Sequence, residues 1–416
     1  MFYEQTILEN GLTVITEKMD TVRSVALGVW FAVGSRDESP SEAGMSHFME
    51  HMMFKGTPSM TAAEISELFD GLGAELNAFT SKEYTCYYAR VVDEHVPTAM
   101  HTLSDMVVNS LLADDACASE RQVVIEEIAR MEDTPDDRVH EMFGRALWPT
   151  HPIGLPILGN RETVDGFDNS QATEFRARHY LTGNCVVAAA GNVEHEDIVS
   201  LVRESLSLPV GPRSARPEAL AVSTTNVAML EKDTEQSHII YGTAALNAHH
   251  EDRFALSVMD SVFGGGMASR LFQEIREKRG LVYSVYSFPA LYQDTGSYAV
   301  YAGTRPENAE QVLGLIRTEM DKLHQGNITA KELARAKESL KGQLMLGSES
   351  TRSRMTRLGK NAVINGELLS LTELVERIDA IVLDDVARVA DMIFSEERVL
   401  ALIGPHTKEE ADRFAE

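Results

Sequence analysis

The sequence predicts an α+β protein built from two αβ domains of one type, each a mostly antiparallel sheet packed with helices. Three observations carry that prediction. Strand-like apolar runs and helical patterns follow one another along the whole chain. Residues 208–217 (LPVGPRSARP) hold three prolines and a glycine among polar residues, which reads as a linker. The stretches on either side close alike, on a helix, a turn, a buried strand and a glycine: Cys185–Gly191 (CVVAAAG) in the first, Val399–Gly404 (VLALIG) in the second. Element order recurs while residue identity is weak, as in an internal duplication. The expected division is a domain at 1–210, a linker at 211–218 and a second domain at 219–416.

The elements follow in order. Leu8–Ile15 reads as two short strands around an Asn10-Gly11 turn. Ser24–Val33 is a strongly apolar strand, and Gly34–Gly44 a polar loop. A helix around residues 46–51 should stop near Lys55-Gly56-Thr57-Pro58. Thr61 and Glu64 form a capping box for a second helix striped by Ile65, Leu68, Phe69 and Leu72. Glu75–Val92, rich in Tyr, Thr and Val, is one long strand or a hairpin. Helices are expected at Pro97–Ser110 and Ser119–Met131, a loop at Asp133–Asp137, and a helix at Asn169–Tyr180. Beyond the linker come strands at Asn226–Leu230 and Ser237–Thr243, and helices at Arg253–Phe263 and Ser269–Arg279. Tyr283–Thr304 is strand-rich, Glu307–Leu323 is a helix, Thr329 and Glu332 cap another, and Leu383–Ile393 precedes the last strand. The run Gly264-Gly265-Gly266 ends a helix; it lacks the lysine and hydroxyl of a phosphate loop.

Composition narrows the function. A chain of 416 residues with 44% hydrophobic and 25% charged residues is an ordinary globular protein with room for a large core. A net charge of -26 argues against nucleic-acid binding and would attract basic partners. Cys86, Cys117 and Cys185 are odd in number and lack C-x-x-C spacing, so a disulfide framework or thiolate zinc site is not expected and a reducing compartment fits. The N-terminal residues carry neither a secretory nor a transit pattern, and no apolar run of membrane-spanning length is present, which points to the cytoplasm and away from the membrane.

The chemistry centres on Ser46-His47-Phe48-Met49-Glu50-His51, which reads H-x-x-E-H. In a helix His47 and His51 leave one face and Glu50 stands beside it. Two imidazoles suit Zn²⁺, and a neighbouring carboxylate can take a proton from water. This is the reverse of H-E-x-x-H and matches the inverzincin pattern. An amphipathic helix with two surface histidines gives the same five residues. Catalysis needs a third protein ligand and an open position. Helix 119–131 offers Glu120, Glu126 and Glu127; Glu120 and Glu127 lie two turns apart on one face, and Glu126 about 100° away. Spacing alone reads all three as solvated charges.

Taken together, these stretches resemble the pitrilysin/mitochondrial processing peptidase family of zinc peptidases, in its bacterial two-domain form, over essentially the whole chain. That family places a glutamate about 76 residues beyond its second histidine, and Glu127 stands at that spacing from His51, with a supporting glutamate seven earlier at Glu120. The resemblance implies one Zn²⁺ per chain held by His47, His51 and Glu127, with Glu120 assisting and Glu50 as general base. No histidine occupies the corresponding helix of the second half. Leu76-Asn77-Ala78-Phe79-Thr80-Ser81 resembles the family's edge strand, on which Asn77 and Ala78 would receive an extended substrate by strand addition. In Ile275-Arg276-Glu277-Lys278-Arg279-Gly280-Leu281-Val282-Tyr283, the pair Arg276 and Tyr283 resembles the family's Arg and Tyr that bind substrate carbonyls. A surface ion pair for Arg276 and a core-packing strand residue for Tyr283 are the plainer readings.

By the same resemblance, two chains would close one peptide cavity as a homodimer, admitting extended, unfolded peptides or presequence-like segments, basic ones favoured by the charge. The expected activity is zinc-dependent endopeptidase. The alternative is a partner-dependent or non-catalytic subunit of a processing-peptidase-like complex. His47, Glu50, His51, Glu127, Arg276 and Tyr283 are all present, which favours the enzyme.

Overall fold

The computed structural model describes residues 2–216, 226–364 and 366–415. Strands β1 (Glu4–Ile7) and β2 (Thr13–Lys18) form a hairpin around a turn in which Gly11 has φ +89°. Then follow β3 (Ser24–Phe31), α1 (Met45–Met52) and α2 (Ala62–Gly71), the last capped by Thr61 and Glu64 as expected. Residues 75–92 are a hairpin, β4 (Glu75–Thr80) and β5 (Thr85–Val92). Helices α3 (Val96–Asn109), α4 (Asp114–Asp133), α5 (Pro135–Leu147), α6 (Arg161–Asp165) and α7 (Asn169–His179) lead to β6 (Cys185–Gly191) and α8 (His195–Ser205). The second set runs β7 (Val227–Glu231), β8 (Ser237–Ala244), α9 (Arg253–Phe263), β9 (Val282–Leu291) and β10 (Gly296–Thr304). Helices α10 (Ala309–His324), α11 (Ala330–Gly347), α12 (Thr351–Val363), α13 (Leu371–Ala380) and α14 (Leu383–Phe394), strand β11 (Arg398–Gly404) and helix α15 (Lys408–Ala415) complete it. The helix expected at 269–279 is a π-helical turn, Phe272–Glu277.

The duplication is written in the strand pairing. The first sheet has the order β1-β2-β6-β3-β5-β4, the second β7-β11-β8-β10-β9. In each, one parallel pair (β2 with β6, β7 with β11) is followed by antiparallel neighbours, and the order ends on an edge strand from a hairpin (β4, β9). Both sheets bury two faces. In β3, Val25, Leu27, Val29 and Phe31 enter the main core, while Ala26 and Trp30 are buried on the opposite side.

What covers those opposite sides departs from the contiguous division at 1–210 and 219–416. The compact units are Met1–Ala129, Leu155–Pro217 and Leu346–Leu368 on the one hand, and Arg130–Gly154, Glu218–Met345 and Leu369–Glu416 on the other. Helix α12 packs on β3, β6 and β2; Gly28 and Gly359 leave room for the Trp30 ring, whose Nε1 lies 3.4 Å from Sδ of Met355. Helix α5 packs on β11, β8 and β7 through Val139, Phe143, Ala146 and Leu147. The reason is apolar demand: a sheet buried on both faces needs a second cover, and each takes it from the distant part of the chain. The loop expected at Asp133–Asp137 shrinks to Thr134, because Pro135 occupies the first helical position, where its missing N–H costs nothing. Of the expected linker 211–218, residues 211–216 run along the first unit: Gly183 N–H donates to Gly211 O, and Arg216 holds Asp37 through two 2.7 Å bonds. Residues 217 and 218, and the expected domain start at 219, lie outside the described residues. No helix among the described residues is long and apolar enough to cross a membrane.

Candidate metal centre

Helix α1 is placed from its N-terminus. Gly44 has φ +98°, and a Cβ there would lie 2.6 Å from the Leu158 carbonyl, so only glycine fits. The buried Glu38 carboxylate accepts the backbone N–H of Gly44 (2.8 Å) and of Ser46 (2.7 Å), satisfying donors that the first helical turn leaves open. Met45, Phe48, Met49 and Met52 turn one side of the helix into the core. The remaining face carries His47, Glu50 and His51, all half-buried.

Helix α4 supplies the opposing carboxylates. Its core stripe is Cys117, Val124 and Ile128, with Glu120 buried on the same side. Glu127 Oε2 lies 3.6 Å from Nε2 of both His47 and His51. These three side chains can bring one ligand atom each within 4.8 Å of one another, the one such group found among the described residues. Donors around a tetrahedral zinc sit about 3.3 Å apart, given bonds of ~2.0–2.1 Å, so the group fits that ion. Glu126, one residue away, is exposed.

The surroundings favour neutral, oriented imidazoles. Burial, helped by the neighbouring His51 ring, lowers His47 to about 3, which keeps it unprotonated and able to ligate. Glu120 Oε2 accepts from Nδ1 of His51 at 3.0 Å, which leaves the His51 Nε2 lone pair facing Glu127. Burial raises Glu50 above the ordinary carboxylate range and Glu127 adds to the rise, while hydrogen bonding from Thr80 and the His51 ring pull it down. Glu50 Oε2 and His47 Nδ1 are buried without a hydrogen-bond partner among the described residues. A raised carboxyl with an unused oxygen beside two imidazoles is poised to exchange a proton.

The other expected residues fall into two places. Asn77 and Ala78 lie on β4, the edge of the first sheet, and the Asn77 side-chain Oδ1 accepts the Ala78 backbone N–H at 2.8 Å. Arg276 and Tyr283 belong to the second unit and meet each other: the guanidinium lies 5.3 Å from the Tyr283 ring and 4.7 Å from Phe272. Tyr283 is 78% exposed, which excludes the core-packing reading, and no ion pair of Arg276 occurs among the described residues. Sequence reasoning missed Glu38 and Lys55, whose Nζ lies 2.5 Å from Glu120 Oε1. Neither belongs to a spacing pattern; the one local hint is that Lys55 sits in the turn that ends α1.

A pair of histidines on one helix and a glutamate on a second could hold a metal ion, and Glu50, next to His51 on the same helix, keeps one oxygen unbonded among the described residues. Comparison with known proteins agrees with that class. The family model for insulinase (peptidase family M16) matches residues 13–161, and that for the peptidase M16 inactive domain matches residues 167–340. An uncharacterized zinc protease of Streptomyces coelicolor is 40% identical, covering 98% of this chain and 91% of that one. The uncharacterized zinc protease YmxG of Bacillus subtilis is 41% identical, covering 95% and 97%. The chain belongs to peptidase family M16, and its relatives' names support a peptidase role and zinc. In fold it is similar to a protease from Helicobacter pylori (TM-score 0.91, 24% identity, 97% and 99% covered) and to a peptidase M16 inactive domain from Pseudomonas fluorescens (TM-score 0.92, 23% identity, 98% and 98% covered).

Proposed function

We propose that this protein is a zinc-dependent endopeptidase acting on extended, unfolded peptides. The observation that carries the reading is the meeting of His47, His51 and Glu127 beside Glu50, one oxygen of which has no partner among the described residues. Bound there, zinc supplies Lewis acidity, acidifying water and polarising the scissile carbonyl. Glu50 takes the proton of the attacking water and returns it to the leaving amine. Glu120 fixes the His51 ring. The β4 edge accepts the substrate backbone by strand addition at Asn77 and Ala78, so recognition is independent of most side chains. Arg276 and Tyr283 donate to substrate carbonyls; the exposure of Tyr283 and the absence of an ion pair at Arg276 among the described residues support that use.

One ion per chain follows from the second unit's helix, which carries no histidine. The working form is a homodimer that encloses its substrate, the net charge of -26 favours basic peptides, and three free buried cysteines suit the cytoplasm. A second reading, a subunit that needs a partner chain or is not catalytic, rests on the match of residues 167–340 to a domain described as inactive.

The test is cleavage of a mixed set of unfolded peptides by the purified chain, before and after chelation and zinc return. Cleavage lost with chelator and restored by zinc is expected. A folded, zinc-loaded protein that cuts none of the peptides would favour the second reading. His47→Ala or Glu127→Gln should lower zinc occupancy, measured by metal analysis after dialysis.

A further inference from the structure

Glu120 is gripped from two sides through different oxygens. Oε2 faces Nδ1 of His51 at 3.0 Å, and Oε1 faces the Lys55 ammonium at 2.5 Å. The Glu120 side chain is 5% exposed, so its charge depends on these two partners rather than on water. Lys55 reaches it because of how α1 ends. The helix stops at Met52, the N–H groups of Phe54 and Lys55 return to the carbonyls of His51 and Met52, and Gly56 turns the chain at φ +102°. That turn is tied to the segment leading into α4 by Leu111 N–H donating to Gly56 O at 3.1 Å. A lysine on a continued helix would advance about 100° and 1.5 Å per residue; here the tight turns set its position instead.

We propose that Lys55 is a positioning residue of the metal centre. By pinning one oxygen of Glu120 it holds the other against Nδ1 of His51, and so sets the ring that presents Nε2 to the ion. The inference rests on the metal-site reading above. A surface ion pair of two mobile side chains would contribute little, but this pair ends on a buried carboxylate that orients a ligand, where loss of an outer partner typically costs 10–100-fold in metal affinity.

The experiment measures the zinc dissociation constant of the full chain by competition with a chromophoric chelator, together with the thermal midpoint of the metal-free protein. Lys55→Met is expected to weaken zinc binding about 10-fold or more with a small change in the metal-free midpoint, and Lys55→Arg to restore most of it. On a Glu120→Gln background Lys55→Met should add less than about 3-fold, because the two residues act as one unit. Wild-type zinc affinity in Lys55→Met overturns the proposal. So do effects that multiply in the double variant, or a loss that tracks a fallen metal-free midpoint and that arginine does not rescue. His47→Ala separates the two levels. If it loses zinc while Lys55→Met keeps it, only the role of Lys55 fails; if it binds zinc like wild type, the metal-site reading itself fails.

Discussion

Helices α1 and α9 are the same piece of fold with different chemistry. Met45–Met53 and Ala255–Phe263 share one sequence of buried and half-buried positions, residue for residue. In that register Met49 stands on Met259, and Ser257, Asp260 and Ser261 take the half-buried places of His47, Glu50 and His51. The two carboxylates differ in their satisfaction. Asp260 Oδ1 accepts from Ser287 Oγ on β9 (2.5 Å) and from the Tyr298 hydroxyl on β10 (3.1 Å). Glu50 is hydrogen-bonded by Thr80 on β4 yet keeps one buried oxygen without a partner among the described residues. The fold thus provides three slots on a helix face beside an edge hairpin in each unit. Whether a slot becomes a working group depends on what fills it and on what the sheet leaves unbonded.

The sharpest way to break this comparison is to neutralise each carboxylate in turn. Glu50→Gln should lower turnover about 10³-fold or more while zinc content stays near that of wild type, as for an essential base. Asp260→Asn should leave turnover within about 2-fold. Comparable losses in both would mean that the second carboxylate is more than a structural remnant, and an active Glu50→Gln enzyme would remove the base from the proposed function.

The exchanged helices give a second contrast, between covers rather than slots. Trp30 is fully buried between the first sheet and α12. Trp30→Ala should cost about 3–5 kcal/mol in chemical denaturation, the range for a large aromatic lost from a core. A cost under about 1 kcal/mol would show that α12 contributes little to the first unit.

The smallest effect concerns pH. Burial raises Asp260 from 3.8 to about 6, against the pull of Ser287 and Tyr298. Between those values the folded chain holds a proton that the unfolded chain has released, so this group's contribution to stability falls as pH rises from about 4 to about 6. Asp260→Asn lacks that dependence. The stability difference between wild type and variant should move by up to about 3 kcal/mol in the variant's favour across that window. A difference that stays constant with pH would place the Asp260 carboxyl outside it.

Local patterns were readable where local physics decides. The capping box at Thr61 and Glu64, the hairpin turn at Gly11 and the paired closing strands were all legible. Helix α5 was hidden because Pro135 and three acids resemble a loop, although Val139, Phe143, Ala146 and Leu147 form a stripe. Helix α12 was hidden by a sparse stripe with Gly359 inside it, a residue required by the Trp30 ring and costly by propensity. Of the three glutamates on α4, helical spacing could not choose; the family resemblance pointed to Glu127 with Glu120 in support, and burial of Glu120, exposure of Glu126 and the 3.6 Å contacts of Glu127 agree with it.

By itself the sequence determined the spacing of His47, Glu50 and His51 on one helical face, the strand and helix order of two like halves, and the charge of the whole. Periodicity, capping and turn chemistry act over a few residues, so they are written in neighbouring letters. Tertiary structure alone decided that Lys55 grips Glu120, that Asp260 Oδ1 accepts two hydroxyls while one oxygen of Glu50 has no partner among the described residues, and that α5 and α12 cover sheets far from them in sequence. Those are contacts between residues tens to hundreds of positions apart, set by which apolar faces must be buried together, and no local pattern encodes them.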